Sequence, residues 1–323
     1  MSVVVRLYEA GAPTVLKVEH FDDVSPGAGD VRLEQEAIGV NYLDVTQRNG
    51  AVPIALPSGL GLEGAGRVTA VGADVAGVAI GDRVAYALGP IGSYASSRLY
   101  PAERLVKLPD AMSCEDAAAI LFKGLTAQYL IKSTFPVGPG SVVVLYGAAG
   151  PVGSIVASWA THLGADVIGV VSRETSVDRA RAAGCRDVLI WGKSDITGEV
   201  NRLTGGRMAD VVYDGVGRAT FDASIDILKI RGTMVSFGAS SGVPDPVSLA
   251  TLNKKSLFLT RPGLAAHVSN LAEYRERAKD VLDAVDAGVI NPSVWKVFPL
   301  DQVIAAHTVL EHGQAEGALI LKP

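Results

Sequence analysis

The hydrophobic pattern divides the chain near residue 110. Before it, Val3 to Leu7, Leu16 to Val18, Val31 to Val40, Gly66 to Val71, Arg83 to Tyr86 and Tyr94 to Leu99 read as short strands separated by Gly, Pro and Asp. Turn residues at that density predict a compact, irregular β-barrel. Ser113-Cys-Glu-Asp116 is a capping box that opens an alanine-rich helix running to Ile131. Pro136, Gly138, Pro139 and Gly140 then form a linker.

Beyond the linker, strands and helices alternate. Val142 to Tyr146 is continuously apolar, as a strand buried on both faces should be. Ile155, Val156, Trp159, Ala160 and Leu163 recur at helical spacing, and Val167 to Val171 is a second buried strand. Further strands are expected at Val188 to Trp191, Val211 to Tyr213, Thr233 to Phe237 and Leu257 to Thr260, with a helix from Ala219 to Ile230. The alternation predicts an α/β fold, a doubly wound parallel sheet. After Arg261-Pro262 come an amphipathic helix (Leu271, Tyr274, Ala278, Val281, Leu282, Val285), a short helix from Asp301 to His312 and a strand from Ala318 to Leu321. This tail is expected to return to the first domain.

The chemistry enters at the turn between the first buried strand and its helix, Gly147-Ala-Ala-Gly-Pro-Val-Gly153. Gly150 and Gly153 fall on the second and third glycines of G-x-G-x-x-G, with Ala148 at the first. Gly150 would admit a pyrophosphate to the backbone, and Gly153 would let helix and strand pack closely. Pro151 suits the first helical turn, and the free N–H groups there form an anion site. Framed by strand, helix and strand, the turn predicts dinucleotide binding. At the tip of the second strand stands Ser172-Arg173, with Glu174 one residue later. A cation where a ribose-binding carboxylate would otherwise sit favours NADPH over NADH. The other reading has Arg173 in solvent and Glu174 on the ribose.

Composition narrows the class. The 323 residues carry a formal net charge of −5, which gives no electrostatic reason to expect nucleic acid or an anionic membrane. Cys114 and Cys185 have no disulfide or metal spacing, the start lacks a signal-peptide layout, and no apolar run is long enough to span a bilayer. A cytoplasmic protein is expected. His20, His162, His267, His307 and His312 are scattered without zinc-ligand spacing, and no Tyr-x-x-x-Lys occurs. Gly238-Ala-Ser-Ser-Gly242 matches a nucleophile elbow, but Val243-Pro-Asp-Pro246 forbids the helix an elbow requires. It reads better as a cofactor-facing loop.

Several segments in order carry a family resemblance: Gly39-Val-Asn-Tyr-Leu-Asp44, Leu56-Pro-Ser-Gly-Leu-Gly-Leu-Glu-Gly-Ala-Gly66, Gly81-Asp-Arg-Val84, Phe122-Lys-Gly-Leu-Thr126, Ala148-Ala-Gly-Pro-Val-Gly153, Val212-Tyr-Asp-Gly-Val-Gly217, Val235-Ser-Phe-Gly238 and Thr260-Arg-Pro262. Over essentially its whole length the chain resembles the zinc-independent quinone oxidoreductases of the medium-chain dehydrogenase/reductase superfamily, bacterial relatives of zeta-crystallin. In zinc-dependent relatives, ligands would lie near Asn41 and Leu62, which are non-ligands here.

The resemblance implies a GroES-like β-barrel catalytic domain from 1 to 124, completed by 262–323, and a Rossmann domain from 125 to 261. It implies NADPH near Asn41 and Thr126 at the nicotinamide, with Lys123 also among the cofactor-binding residues, Ala149, Gly150, Pro151, Val152 and Gly153 at the pyrophosphate, and Ser172, Arg173 and Trp191 toward the adenosine. Phe237, Gly238, Ser241 and Arg261 would approach from later strands. Close bacterial relatives carry a lysine at the place of Ser176, a tyrosine at Trp191 and an arginine near Gly313, so the NADPH preference here is expected to be either weaker or differently built, with Arg173 and Lys193 as the compensating candidates.

Hydride transfer to a quinone needs no buried acid, which suits a chain without zinc or Tyr-x-x-x-Lys. Asn41, Tyr42 and Arg48 are the candidates for orienting substrate, read as lying on a loop; the alternative for them is a local turn cluster. Three functions follow: a quinone reductase, a reductase of α,β-unsaturated carbonyls, or an NADPH-binding regulatory or RNA-binding protein. The last is disfavoured by the acidic balance. A homodimer through the sheet edge at Leu257 to Thr260 is also expected.

Overall fold

The computed structural model describes residues 2–323. Two compact units share the chain: one runs to Lys123 and adds 270–279 and 291–323, and the other comprises 124–269 and 280–290. The tail is therefore divided rather than returned whole to the first unit. Residues 280–290 stay with the nucleotide unit because Asp280 accepts from Gln128 (2.8 Å) and Lys132 (2.7 Å), and Ser158 donates to the Val289 carbonyl at 2.6 Å.

The nucleotide unit is built on six parallel strands in the order Asp187–Ile190, Asp166–Val171, Val142–Tyr146, Ala209–Asp214, Leu228–Ser236, Phe258–Thr260. The order reverses direction between Val142–Tyr146 and Ala209–Asp214, the switch point at which such sheets bind ligands beyond their carboxyl ends. All five residues of Val142–Tyr146 are buried, as its unbroken apolar run requires. Val144, Ile168, Val170, Val212 and Met234 fill one core cluster with Ile196, Val200 and Ile225 from the helices.

The helix expected from Ala219 to Ile230 is shorter than that span. The helix spans only Phe221–Asp226, and Leu228 already begins the next strand, paired with Ala209. Lys255 Nζ donates to the carbonyls of Asp226 (2.7 Å) and Leu228 (3.0 Å), capping the helix from a distant segment. The chain then turns at Arg231, whose φ of 60° no helix accommodates.

In the other unit, strand Asp30–Val40 organises a seven-stranded sheet. It pairs with Glu63–Val71, with Ser97–Pro101 through its first half, and with Ala318–Lys322 through its last residues. Register shifts at Arg32/Leu33 and Gln35/Ala37 bend it, as bulges do. Val294–Pro299, absent from the sequence reading, adds a parallel strand beside Ala318–Lys322. Leu7, Leu60, Tyr94, Phe298, Val303 and Leu319 pack beneath the sheet.

Candidate cofactor and active site

The glycine-rich turn joins strand Val142–Tyr146 to helix Pro151–His162. The left-handed residue of the turn is Gly147 (φ 71°), one position before Ala148. Gly153 is the packing glycine: a Cβ there would lie 2.1 Å from the Gly147 carbonyl oxygen. Gly150 is the helix N-cap, and its own Cβ would meet only that same oxygen at 3.1 Å. Pro151 occupies the first helical position. Among the described residues, the N–H groups of Ala149, Val152 and Gly153 donate to no backbone carbonyl, leaving a cradle of donors for an anion.

At the tip of strand Asp166–Val171, Ser172 and Arg173 are exposed, with Arg173 entering the short turn Glu174–Ser176. Glu174 is held by Lys193 at 2.8 Å, and that hydrogen bond lowers its carboxyl below the usual range. Ser176 accepts from Arg179 at 3.2 Å, a cation the sequence reading did not single out. The Trp191 ring lies edge-on to Tyr146 (5.9 Å between ring centres), and its backbone N–H donates to the Val171 carbonyl at 2.8 Å.

The later strand ends are pinned by Asp214, buried at the end of Ala209–Asp214. One oxygen accepts Val216 N (2.7 Å) and Gly217 N (3.0 Å); the other accepts Thr220 Oγ1 (2.7 Å) and Ser224 Oγ (2.9 Å). Its carbonyl receives Phe237 N at 3.0 Å. Gly238 packs on Gly215, where a Cβ would lie 2.6 Å from the Gly215 carbonyl oxygen. Ser241 Oγ donates to the Val216 carbonyl (2.8 Å) and accepts Ala219 N (3.0 Å). After it no helix starts before Leu249, so the loop lacks the immediate helix of a nucleophile elbow. Arg261 donates to Ser236 Oγ at 3.2 Å.

The candidate orienting residues lie on a helix rather than a loop. Helix Tyr42–Arg48 begins at Asn41, whose backbone N–H donates to Asp44 Oδ2 at 2.9 Å. Asn41 Nδ2 donates to Glu63 Oε2 at 2.9 Å, and Lys123 Nζ reaches the same oxygen at 3.1 Å. Tyr42 is 43% exposed, whereas Arg48 is fully buried and donates to both oxygens of Glu311 at 2.9 and 3.0 Å. Thr126 is buried three residues beyond Lys123 on helix Cys114–Tyr129. Asp44 also accepts from Tyr94 (2.9 Å), whose hydroxyl oxygen lies 3.0 Å from His307 Nε2. Burial pushes the Asp44 carboxyl up to about 7 and the His307 imidazole down to about 3.

Glu63, Asp214 and Gly147 are the site residues that sequence reasoning passed over. The first two lay inside quoted segments, but nothing local marks a carboxylate whose donors come from elsewhere in the chain.

Two family models match: the alcohol dehydrogenase GroES-like domain over residues 27–110 and the zinc-binding dehydrogenase over 151–284. Among the described residues there is no group of three or more His, Cys, Asp and Glu placed to hold a metal ion. A 2-haloacrylate reductase from a Burkholderia species is 41% identical, with 98% of each chain covered. Quinone oxidoreductase 1 of Escherichia coli K12 is 38% identical, with 100% of each chain covered. The crystal structure of Escherichia coli quinone oxidoreductase complexed with NADPH superposes with a TM-score of 0.96 at 38% identity, covering 99% of this chain and 100% of that one. With both domains matched at this level from end to end, the chain belongs to the quinone oxidoreductase family of the medium-chain dehydrogenase/reductase superfamily.

Proposed function

We propose that this chain is an NADPH-dependent quinone reductase that works without zinc. The observation that carries the reading is the donor cradle at Gly147–Gly153 on a doubly wound sheet, in a chain similar over its full length to a quinone oxidoreductase crystallised with NADPH. The N–H groups of Ala149, Val152 and Gly153 receive the pyrophosphate, and Pro151 stiffens the loop without removing a needed donor. Ser172 and Arg173 face the adenosine phosphate, with Trp191 beside them. Phe237, Gly238, Ser241 and Arg261 line the cofactor from the later strands. Asn41, Lys123 and Thr126 serve the nicotinamide end, and Tyr42, the exposed member of its helix, borders the substrate.

When bound, NADPH supplies a hydride from C4 of its nicotinamide. The protein's part is orientation and exclusion of water. Asn41 and Lys123 are buried and tied to one carboxylate, so their polar heads are fixed before ligand arrives. The reduced quinone oxygens take protons from water, so no side chain need donate one. Arg48 is assigned to the fold rather than to substrate, because its guanidinium is buried against Glu311.

A second reading, reduction of an activated alkene, is favoured by the 41% identity to a 2-haloacrylate reductase. It needs the same hydride geometry and adds a proton at the neighbouring carbon. We take the protein to act in the cytoplasm as a homodimer, with no nucleic-acid or membrane partner. No helix is long and apolar enough to cross a membrane among the described residues. The edge strand Phe258–Thr260 pairs on one side only and exposes 62% of Phe258, a surface that a second copy would cover.

The test is oxidation of NADPH and NADH, side by side, with benzoquinone, phenanthrenequinone and a 2-haloacrylate. NADPH-linked turnover of the quinones supports the reading; turnover of the haloacrylate alone replaces it with the second. Asn41→Ala should weaken NADPH binding or turnover in a folded protein. Static light scattering giving a monomer mass at micromolar concentration would remove the dimer.

A further inference from the structure

Three donors converge on one buried carboxylate in the GroES-like unit. Glu63 is fully buried at the start of strand Glu63–Val71. Its Oε1 accepts Phe122 N at 2.7 Å, and its Oε2 accepts Asn41 Nδ2 at 2.9 Å and Lys123 Nζ at 3.1 Å. Asn41 is 6% exposed and Lys123 4%. An ion pair this deep carries a desolvation penalty that only good geometry and further hydrogen bonds offset. A carboxylate kept there, in a unit with ample apolar side chains to fill the space, calls for a reason beyond packing.

From Asn41 the hydrogen bonds continue through Asp44 and Tyr94 to His307. The series resembles a proton wire but cannot act as one. Both bonds at Asn41 are made by amide N–H groups, which do not release protons at ordinary pH. What the arrangement can do is hold polar heads in place. One of the three ammonium hydrogens of Lys123 is committed to Glu63, and so is one of the two amide hydrogens of Asn41.

We infer that Glu63 is a positioning residue for the cofactor: it supplies the buried counter-charge that holds the Lys123 ammonium in place and fixes the amide plane of Asn41, so that both meet the nicotinamide end preset. The inference rests on the reading that Asn41 and Lys123 touch NADPH. The titratable groups around the pair are Asp44 on helix Tyr42–Arg48, the phenols of Tyr86 and Tyr94 in the sheet unit, and Tyr274 on helix Leu271–Asp286. The three phenols are pushed up by burial and stay neutral. Asp44 titrates near neutrality and senses both charges, raised by Glu63 and lowered by Lys123, so each variant and its reference protein carry Asp44→Asn.

Glu63→Gln keeps the shape and removes the charge. The Lys123 ammonium is then buried without an anion, and burial favours the uncharged amine, so it sheds its proton as pH rises. NADPH affinity, read by fluorescence, should fall roughly tenfold or more against the reference between about pH 6 and about pH 9. The cofactor-free variant should gain stability relative to the reference over the same range, because its unfolded state binds the proton that its native state has lost. Affinity falling while stability rises is a signature that a merely structural carboxylate would not produce. Both trends should vanish in Glu63→Gln/Lys123→Met, which buries no charge.

A loss of affinity uniform in pH, or a limb that persists in the double variant, overturns the inference. Should Glu63→Gln not fold, the double variant is compared with Lys123→Met alone: weaker, pH-flat binding than that of Lys123→Met supports the inference through the released Asn41 amide, and equal binding overturns it. If the wild type itself fails to bind NADPH, the cofactor reading is at fault, and the stability limb of the cofactor-free variant still reports on the pair.

Discussion

Gly39 and Glu63 stand opposite each other on paired strands and share one volume: a Cβ on Gly39 would lie 2.2 Å from Glu63 Oε2 and 2.3 Å from the Ala118 carbonyl oxygen. The helix backbone cannot yield, and Glu63, tied by three donors, can yield only by giving up hydrogen bonds. Gly39→Ala should therefore displace Glu63, cost about 1–3 kcal/mol of stability and weaken NADPH binding. Denaturant midpoints and fluorescence titration check both. Wild-type values for the pair would mean that Glu63 is free to move without consequence.

Gly150 and Gly153 separate the two jobs of the glycine turn. Gly153→Ala drives a methyl into the Gly147 carbonyl at 2.1 Å and should lower Tm and NADPH affinity together. Gly150→Ala meets that oxygen only at 3.1 Å, so its Tm should move little. Its added methyl stands where a pyrophosphate would approach the backbone, and affinity should drop roughly tenfold or more. A Gly150→Ala protein that binds NADPH normally would place the pyrophosphate elsewhere.

The nucleotide half was legible because a strand buried on both faces writes itself as an unbroken apolar run, as Val142 to Tyr146 does. The helix expected to reach Ile230 stops short although Phe221, Ile225 and Leu228, and Ile227 with Ile230, recur three or four residues apart; the cap that ends it is Lys255, supplied from a distant segment. Val294–Pro299 was missed because most of its side chains are exposed or half-exposed and give no core-facing alternation. The polar site was harder still. Asp44, Gln47 and Arg48 are buried on one helix face, yet a buried polar stripe reads in sequence as a solvated one. Glu63 stood in a recognisable segment, but its partners Asn41, Phe122 and Lys123 meet it only in the folded chain.

Arg48 and Glu311 join helix Tyr42–Arg48 to helix Val303–Glu311, and the two ends of the pair differ in burial, 0% against 34% exposed. Removing Glu311 strands a buried guanidinium, whereas removing Arg48 leaves a carboxylate that can turn to solvent. Glu311→Ala should therefore cost on the order of 3 kcal/mol, and Arg48→Met less. The folded Arg48→Met enzyme should keep the wild-type KM and kcat for quinone. A raised KM at unchanged stability would return Arg48 to the substrate.

Asp44 and His307, bridged by Tyr94, should tilt the pH dependence of stability in opposite directions. With the Tyr94 proton donated to Asp44, its oxygen accepts from His307 Nε2–H. The Asp44 carboxyl is raised to about 7, so the native state binds the extra proton, and this group's contribution falls as pH rises from its unfolded value toward 7. The His307 imidazole is lowered to about 3, so its contribution rises over the acidic range and levels off above its unfolded value. The two largely offset each other in mild acid. Asp44→Asn should make the protein lose stability more steeply on acidification, and His307→Gln should flatten or reverse that slope. Thermal melts across the acidic and neutral range decide it; parallel curves for all three proteins would remove both groups from the balance.

Lys193 masks Glu174 beside the Ser172-Arg173 tip, and this pairing should tune the choice of cofactor. An unmasked carboxylate there would repel a 2′-phosphate and accept a ribose hydroxyl, the rival role for Glu174. Lys193→Ala should therefore lower the ratio of NADPH to NADH kcat/KM, and adding Glu174→Gln should restore it. Arg173→Ala should lower the ratio further, roughly tenfold, because the lost contact is a charged hydrogen bond to phosphate. The Lys193 effect should shrink with added salt, since both partners are largely exposed. If Glu174→Gln leaves the Lys193→Ala ratio unrestored, Lys193 contacts the phosphate itself rather than acting through the carboxylate it covers.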